Sequence, residues 1–116
     1  MSAALLTLNI DGVPTQRVIR NANTWWRRAI GLLATKELQH PCGLWLQPCN
    51  GVHTIGMRYP IDVLFLRADG VVLKVVPRLG PWRFARCGGA ASTLELRAGL
   101  ARRLGLKPGM SLDLMA

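Results

Sequence analysis

The run Ile61-Asp62-Val63-Leu64-Phe65-Leu66 constrains this chain more than any other segment. Its residues are mostly β-branched, aromatic or leucine, they show no helical spacing, and Pro60 and Ala68-Asp69-Gly70 bound them. That pattern predicts a wholly buried strand. A carboxylate at the start of such a strand must meet hydrogen-bond donors or belong to a site. Upstream, His53-Thr54-Ile55-Gly56-Met57-Arg58-Tyr59-Pro60 adds a histidine, a methionine and a proline-restricted turn. No known catalytic signature covers this stretch.

Turn chemistry places the other elements around that strand. Asp11-Gly12 predicts a type I′ hairpin between Leu5–Ile10 and Thr15–Ile19. Asn23 or Thr24 would cap a helix from Trp25 to about Thr35, because Trp26, Ala29, Ile30 and Leu33 recur at helical spacing. Short strands are expected at Leu44–Leu46 and Val52–Ile55. Ala68-Asp69-Gly70 should fold Ile61–Arg67 back onto Val71–Val76. The prolines and glycines from Pro77 through Gly89 predict a long loop, the most mobile part of the chain. Thr93–Leu96 reads as a strand, Gly99–Leu104 as a short helix ended by Gly105, and Ser111–Leu114 as the last strand. Hairpins and short crossovers dominate. The expectation is therefore an α+β fold, predominantly antiparallel β, a small barrel- or sandwich-like domain with two short helices at its side.

The 116 residues suit one domain, 1–116, with a real core. Half are hydrophobic, which excludes disorder as a description of the whole. Fifteen Lys and Arg against six Asp and Glu give a formal charge of +9, which suggests an anionic or protein partner. An arginine-rich composition from a high-GC genome accounts for the charge equally well. The N-terminal ten residues lack the pattern of a signal peptide, and no stretch has the length of a membrane span. Three cysteines without a secretory signal are expected as reduced thiols. These features describe a bacterial, cytoplasmic protein, monomeric or weakly homodimeric.

Several residues carry candidate chemistry. His40, Cys42, Cys49 and His53 are of the types zinc prefers, but their spacing matches no zinc ribbon or finger, so no metal or other cofactor is expected. Cys49 and His53 also contain the minimum of a nucleophilic thiolate–imidazole pair, with Asp62 as the orienting acceptor. The favoured reading keeps Cys49 as a small buried hydrophobe and His53 bonded to a backbone carbonyl. Asp62 is then held by loop N–H groups or by Arg27. Glu95 is a lone carboxylate between leucines, facing solvent or a polar pocket. Trp25-Trp26-Arg27-Arg28 and Pro81-Trp82-Arg83 set aromatics beside guanidiniums, as suits stacking on bases or sugars. Of these, Trp82 is the better surface aromatic, with Arg83 and Arg86 beside it. No ribonucleoprotein motif or helix-turn-helix signature accompanies them, so a nucleic-acid partner is the less favoured reading.

Three blocks in order resemble the bacterial and archaeal domain-of-unknown-function family 192. They are Trp25-Trp26-Arg27-Arg28-Ala29-Ile30-Gly31-Leu32-Leu33, then His53 through Gly70, then Leu94-Glu95-Leu96-Arg97-Ala98-Gly99 with Lys107-Pro108-Gly109. The likeness spans about residues 17 to 114 and implies a compact, mostly β domain with a few short helices. It implies no activity, and it favours a pocket for Glu95. The expected function is a non-catalytic binding or accessory module. Its ligand-binding residues would be His53, Asp62, Trp82, Arg83 and Glu95. The alternatives are a small Cys/His- or metal-dependent hydrolase-like enzyme using Cys49, His53 and Asp62, and an arginine-rich nucleic-acid binder.

Overall fold

A computed structural model of the chain describes residues 5–21 and 43–115. Strands β1 (Leu5–Ile10) and β2 (Val13–Asn21) form the expected hairpin. Asp11 and Gly12 both have positive φ, 49° and 80°, as a type I′ turn requires. β3 (Gly43–Leu46) pairs in parallel with β2, and residues 22–42 connect the two. β5 (Ile61–Leu66) and β6 (Val72–Leu79) form the second hairpin. β8 (Ser92–Arg97) lies between β5 and β3, and β9 (Leu112–Met115) pairs with β1. The result is a seven-stranded sheet in the order β6-β5-β8-β3-β2-β1-β9. A second sheet contains only β4 (Gly51–His53) and β7 (Phe84–Arg86).

Both faces of the central strands are covered, which explains why every residue of β5 is buried. On one face Leu64, Leu66, Leu94 and Leu96 pack with Leu8, Ile19, Leu100 and Leu112. On the other, Ile61, Val63 and Phe65 pack with Leu44, Leu46, Met57 and Leu79. Val52 and Ala85, from β4 and β7, rest on this second cluster. The small sheet is thereby held against the large one by its inner face.

The α+β expectation is corrected. Among the described residues the chain forms nine strands and one helix, α1 (Leu100–Arg103), a single turn of four residues. Left-handed glycines on both sides, Gly99 (φ 91°) and Gly105 (φ 68°), limit its length. The other expected helix, Trp25 to Thr35, lies outside the described residues.

The sheet is not a closed barrel either. Its edges, β6 and β9, meet at one isolated bridge between Val71 and Ser111. The turn before β9 takes the backbone groups a closing ladder would need, because Val72 N–H donates to Met110 O and Gly109 N–H donates to Val72 O.

The loop expected from Pro77 to Gly89 is also shorter than its composition suggests. β6 continues through Pro77 to Leu79, and Phe84–Arg86 is a strand. Proline is tolerated because β6 is an edge strand. The register slips between Ile61 and Val63, and Arg78 adopts φ 49° to absorb the irregularity.

Candidate functional site

In the small sheet, alternation sends Val52 and Ala85 inward and leaves Gly51, His53, Phe84 and Arg86 outward. His53 stands directly opposite Phe84 across the pair, and Gly51 opposite Arg86. The lack of a side chain at Gly51, together with Lys74 reaching in from β6, leaves a hollow of about 520 Å³. His53, Lys74, Phe84 and Arg86 line it. Lys74 Nζ donates to Arg86 O at 3.2 Å, which fixes the lysine at the rim.

Thr54 fastens the turn at the end of this sheet. It is fully buried. Its hydroxyl donates to Gly80 O at 2.6 Å and accepts from Arg83 N–H at 2.8 Å. Its backbone N–H donates to Arg83 O at 2.9 Å, and its carbonyl accepts from Trp82 N–H at 3.0 Å. These bonds hold Trp82 at φ 61°, a region few bulky residues occupy. Trp82 is 64% exposed and Phe84 75% exposed, with Ile55 also on the surface. A large aromatic held this far into solvent by a saturated backbone is informative where a scattered leucine would not be.

The exposed acidic groups are clustered on the molecule, whereas the cations are spread over it. Of the described carboxylates, Asp62 and Glu95 are buried, while Asp11, Asp69 and Asp113 are exposed. The three exposed ones gather at one pole. Asp11 accepts from Ser111 N–H, and Asp69, Gly70, Leu112 and Asp113 share one surface hollow. Arg67 binds Asp69 through two nitrogens, at 2.9 and 2.7 Å. Its hydrogen bonding lowers the Asp69 carboxyl to about 2. This is the one ion pair among the described residues. Arg83, next to Trp82 in the chain, and Arg86, on β7 with Phe84, have no carboxylate partner among the described residues.

The residues expected to share a cleft are divided by the large sheet. Asp62 pairs with Leu96 and Glu95 with Val63 on the same two strands. Residues opposite each other share a face and neighbours alternate, so the two carboxylates point to opposite faces. Asp62 is 1% exposed. Its Oδ1 accepts from Arg78 N–H at 2.9 Å, and its Oδ2 from Gly99 N–H at 3.0 Å and Ala101 N–H at 2.9 Å. It thus caps α1 from a distant strand, satisfying N–H groups that a helix start leaves open. Glu95 is 2% exposed in the middle of β8.

Cys49 is half-buried against the second cluster and its thiol donates to Gly51 O at 3.2 Å, whereas His53 is on the outer face. Thr54, next to His53, brings the backbone of Trp82 and Arg83 to the end of the strand that carries His53, while Asp62, Glu95 and Cys49 each lie elsewhere. Among the described residues no group of three or more His, Cys, Asp or Glu could hold a metal ion. His40 and Cys42 are outside them, as is Arg27. Lys74, Phe84 and Thr54 join the candidate face without having been expected there. A three-residue strand is too short to show alternation, so Phe84 carried no signal. Also among the described residues, no helix is long and apolar enough to cross a membrane.

The fold is shared with solved structures. One is the crystal structure of a protein from Sinorhizobium meliloti 1021, named as a candidate transcription regulator, with a TM-score of 0.84 and 22% identity. The match covers 98% of this chain and 96% of that one. Another is a protein of unknown function from Novosphingobium aromaticivorans DSM 12444, with a TM-score of 0.77 and 24% identity, covering 96% and 84%. At these identities the likeness is one of fold. No curated protein matches the sequence. The model of one family, DUF192, described as an uncharacterized ACR, matches residues 6–114. With nearly its whole length accounted for in this way, the chain belongs to the DUF192 family.

Proposed function

We propose that this domain is a non-catalytic binding module for an anionic partner, which it meets with the outer face of β4 and β7 and the Gly80–Arg83 turn. The observation that carries this reading is the pair of exposed aromatics, Trp82 and Phe84, on a backbone fixed by Thr54 and flanked by cations without carboxylate partners. Rigid aromatics add contact area at little cost in conformational entropy, and a basic surface speeds encounter with an anion. Binding is preferred to hydrolysis on the placement of the candidate catalytic groups. Both oxygens of Asp62 are engaged by backbone N–H groups, and the Cys49 thiol packs inward, away from the outer face that carries His53.

Heparin, a general polyanion, tests the reading. The double variant R83E/R86E and a control, R17E/R20E on β2, change the net charge equally. The first should elute from immobilised heparin at clearly lower salt than the second. Equal elution would mean that charge alone, and not this face, governs binding.

A further inference from the structure

We propose that the outer face of β4 and β7 binds single-stranded nucleic acid, with bases stacked on Phe84, Trp82 and His53 and phosphates held by Lys74, Arg83 and Arg86. This rests on the reading of that face as a binding surface and names its partner.

Three observations carry it. The first is the kind of apolar surface exposed. Its two most exposed large side chains are aromatic, and His53 lies across the strand pair from one of them. Flat rings offer π-faces to bases of any sequence. The second is charge placement. Lys74 and Arg86 line the hollow with Phe84 and His53, and Arg83 follows Trp82 in the chain, while the exposed described carboxylates lie around Ser111 at another pole. A polyanion is drawn to the aromatic side and repelled from the acidic one. The third is shape. The outer face carries an open hollow of about 520 Å³, with room for a base to lie against it. Its lining of Phe84 and His53 with Lys74 and Arg86 at hand suits a base with its attached phosphate.

Shape also separates this partner from two others. A membrane surface calls for an apolar wedge that protrudes, whereas Phe84 borders a hollow shared with His53, Lys74 and Arg86. Duplex DNA admits a helix or a projecting two-stranded ribbon into its major groove. The β4–β7 pair spans three residues per strand and is packed on its inner side against Leu44, Phe65 and their neighbours, so it does not project.

The test is fluorescence anisotropy with a labelled oligothymidylate, a duplex of equal length, and, by co-sedimentation, vesicles of phosphatidylserine and phosphatidylcholine. The oligothymidylate should bind more tightly than the duplex. With three cations engaged, the logarithm of affinity should fall against log salt with a slope of about −2, reduced by about 0.7 in Arg86→Ala. Phe84→Ala and Trp82→Ala should each weaken binding about five- to a hundredfold. Phe84→Leu, which keeps apolar area without a π-face, should behave like Phe84→Ala, and Phe84→Trp should bind as well as wild type. Urea melts of each variant confirm that the fold is kept.

A duplex bound as tightly as the single strand, or wild-type affinity in Phe84→Leu, overturns the proposal. So does an oligothymidylate that does not bind at low salt. If vesicles then bind in a manner dependent on Trp82 and Phe84, or if R83E/R86E still separates from R17E/R20E on heparin, the anionic-partner reading survives and only the nucleic-acid assignment falls. If both heparin variants elute together as well, both readings fall.

Discussion

Replacing Asp62 distinguishes a carboxylate that holds the fold together from one that serves a ligand. Its two oxygens accept three backbone N–H bonds of 2.9, 3.0 and 2.9 Å, tying β5 to Arg78 and to the start of α1. Asp62→Asn keeps the shape but has one acceptor oxygen. With that oxygen toward Gly99 and Ala101, its NH2 group faces the N–H of Arg78, donor against donor. One bond is lost outright and two lose their charge assistance. Hydrogen bonds to charged groups contribute about 1.5–3 kcal/mol each, so the substitution should cost about 2–4 kcal/mol. Asp62→Ala leaves three buried N–H groups open and also removes the cost of burying a charge. A net loss of about 3–5 kcal/mol follows. Urea unfolding followed by circular dichroism measures both, with the midpoint falling at unchanged slope. A carboxylate kept for a ligand would give the opposite sign, because removing such a group is commonly neutral or stabilising. A cost below about 1 kcal/mol for Asp62→Asn would refute the capping role.

Phe65 is fully buried in the second cluster, so Phe65→Ala should lower stability by about 3–5 kcal/mol in denaturant melts. The two hairpin glycines should differ. Gly12→Ala has open space around it and pays only for its φ of 80°, about 1 kcal/mol, whereas a Cβ at Gly70 also collides with Leu112 O, so thermal melts should rank Gly70→Ala as clearly the worse. Because Asp69 is lowered to about 2 in the folded protein, the stability from its pairing is present above the ordinary aspartate value near 3.9 and disappears as pH falls toward 2. A carboxyl carbon titration by NMR should place its midpoint near the lower value and, in Arg67→Ala, nearer the ordinary one.

Features that depend on local chemistry were legible in the sequence. The apolar run Ile61–Leu66 announced a buried strand, Asp11-Gly12 a primed turn, and Gly105 the end of a helix. Features that depend on distant backbone were not. Pro77 and the glycines after it suggested an irregular loop, yet the edge position of β6 and the slip near Ile61 let the strand run through Pro77. The role of Asp62 was hidden because its partners are main-chain N–H groups 16, 37 and 39 residues away, which no side-chain motif marks. Grouping Asp62 with Glu95 ignored the alternation that puts neighbours on opposite faces, a relation visible only once β5 and β8 are known to pair in this register. Trp82 and Arg83 stood out by composition, but Thr54, which positions them, did not.

The pairing of β1 with β9 bears on how the molecule is made. The two strands are far apart in sequence, with Thr7 opposite Met115 and Ile10 opposite Leu112. During synthesis the β1–β2 hairpin can form early from local contacts, but one edge of β1 stays unpaired until β9 has been made. Until then it displays open N–H and C=O groups beside Leu6 and Leu8, the arrangement most prone to pairing with another chain. Folding should be correspondingly slow, since a pairing of such long sequence separation must close before the first strand is sealed.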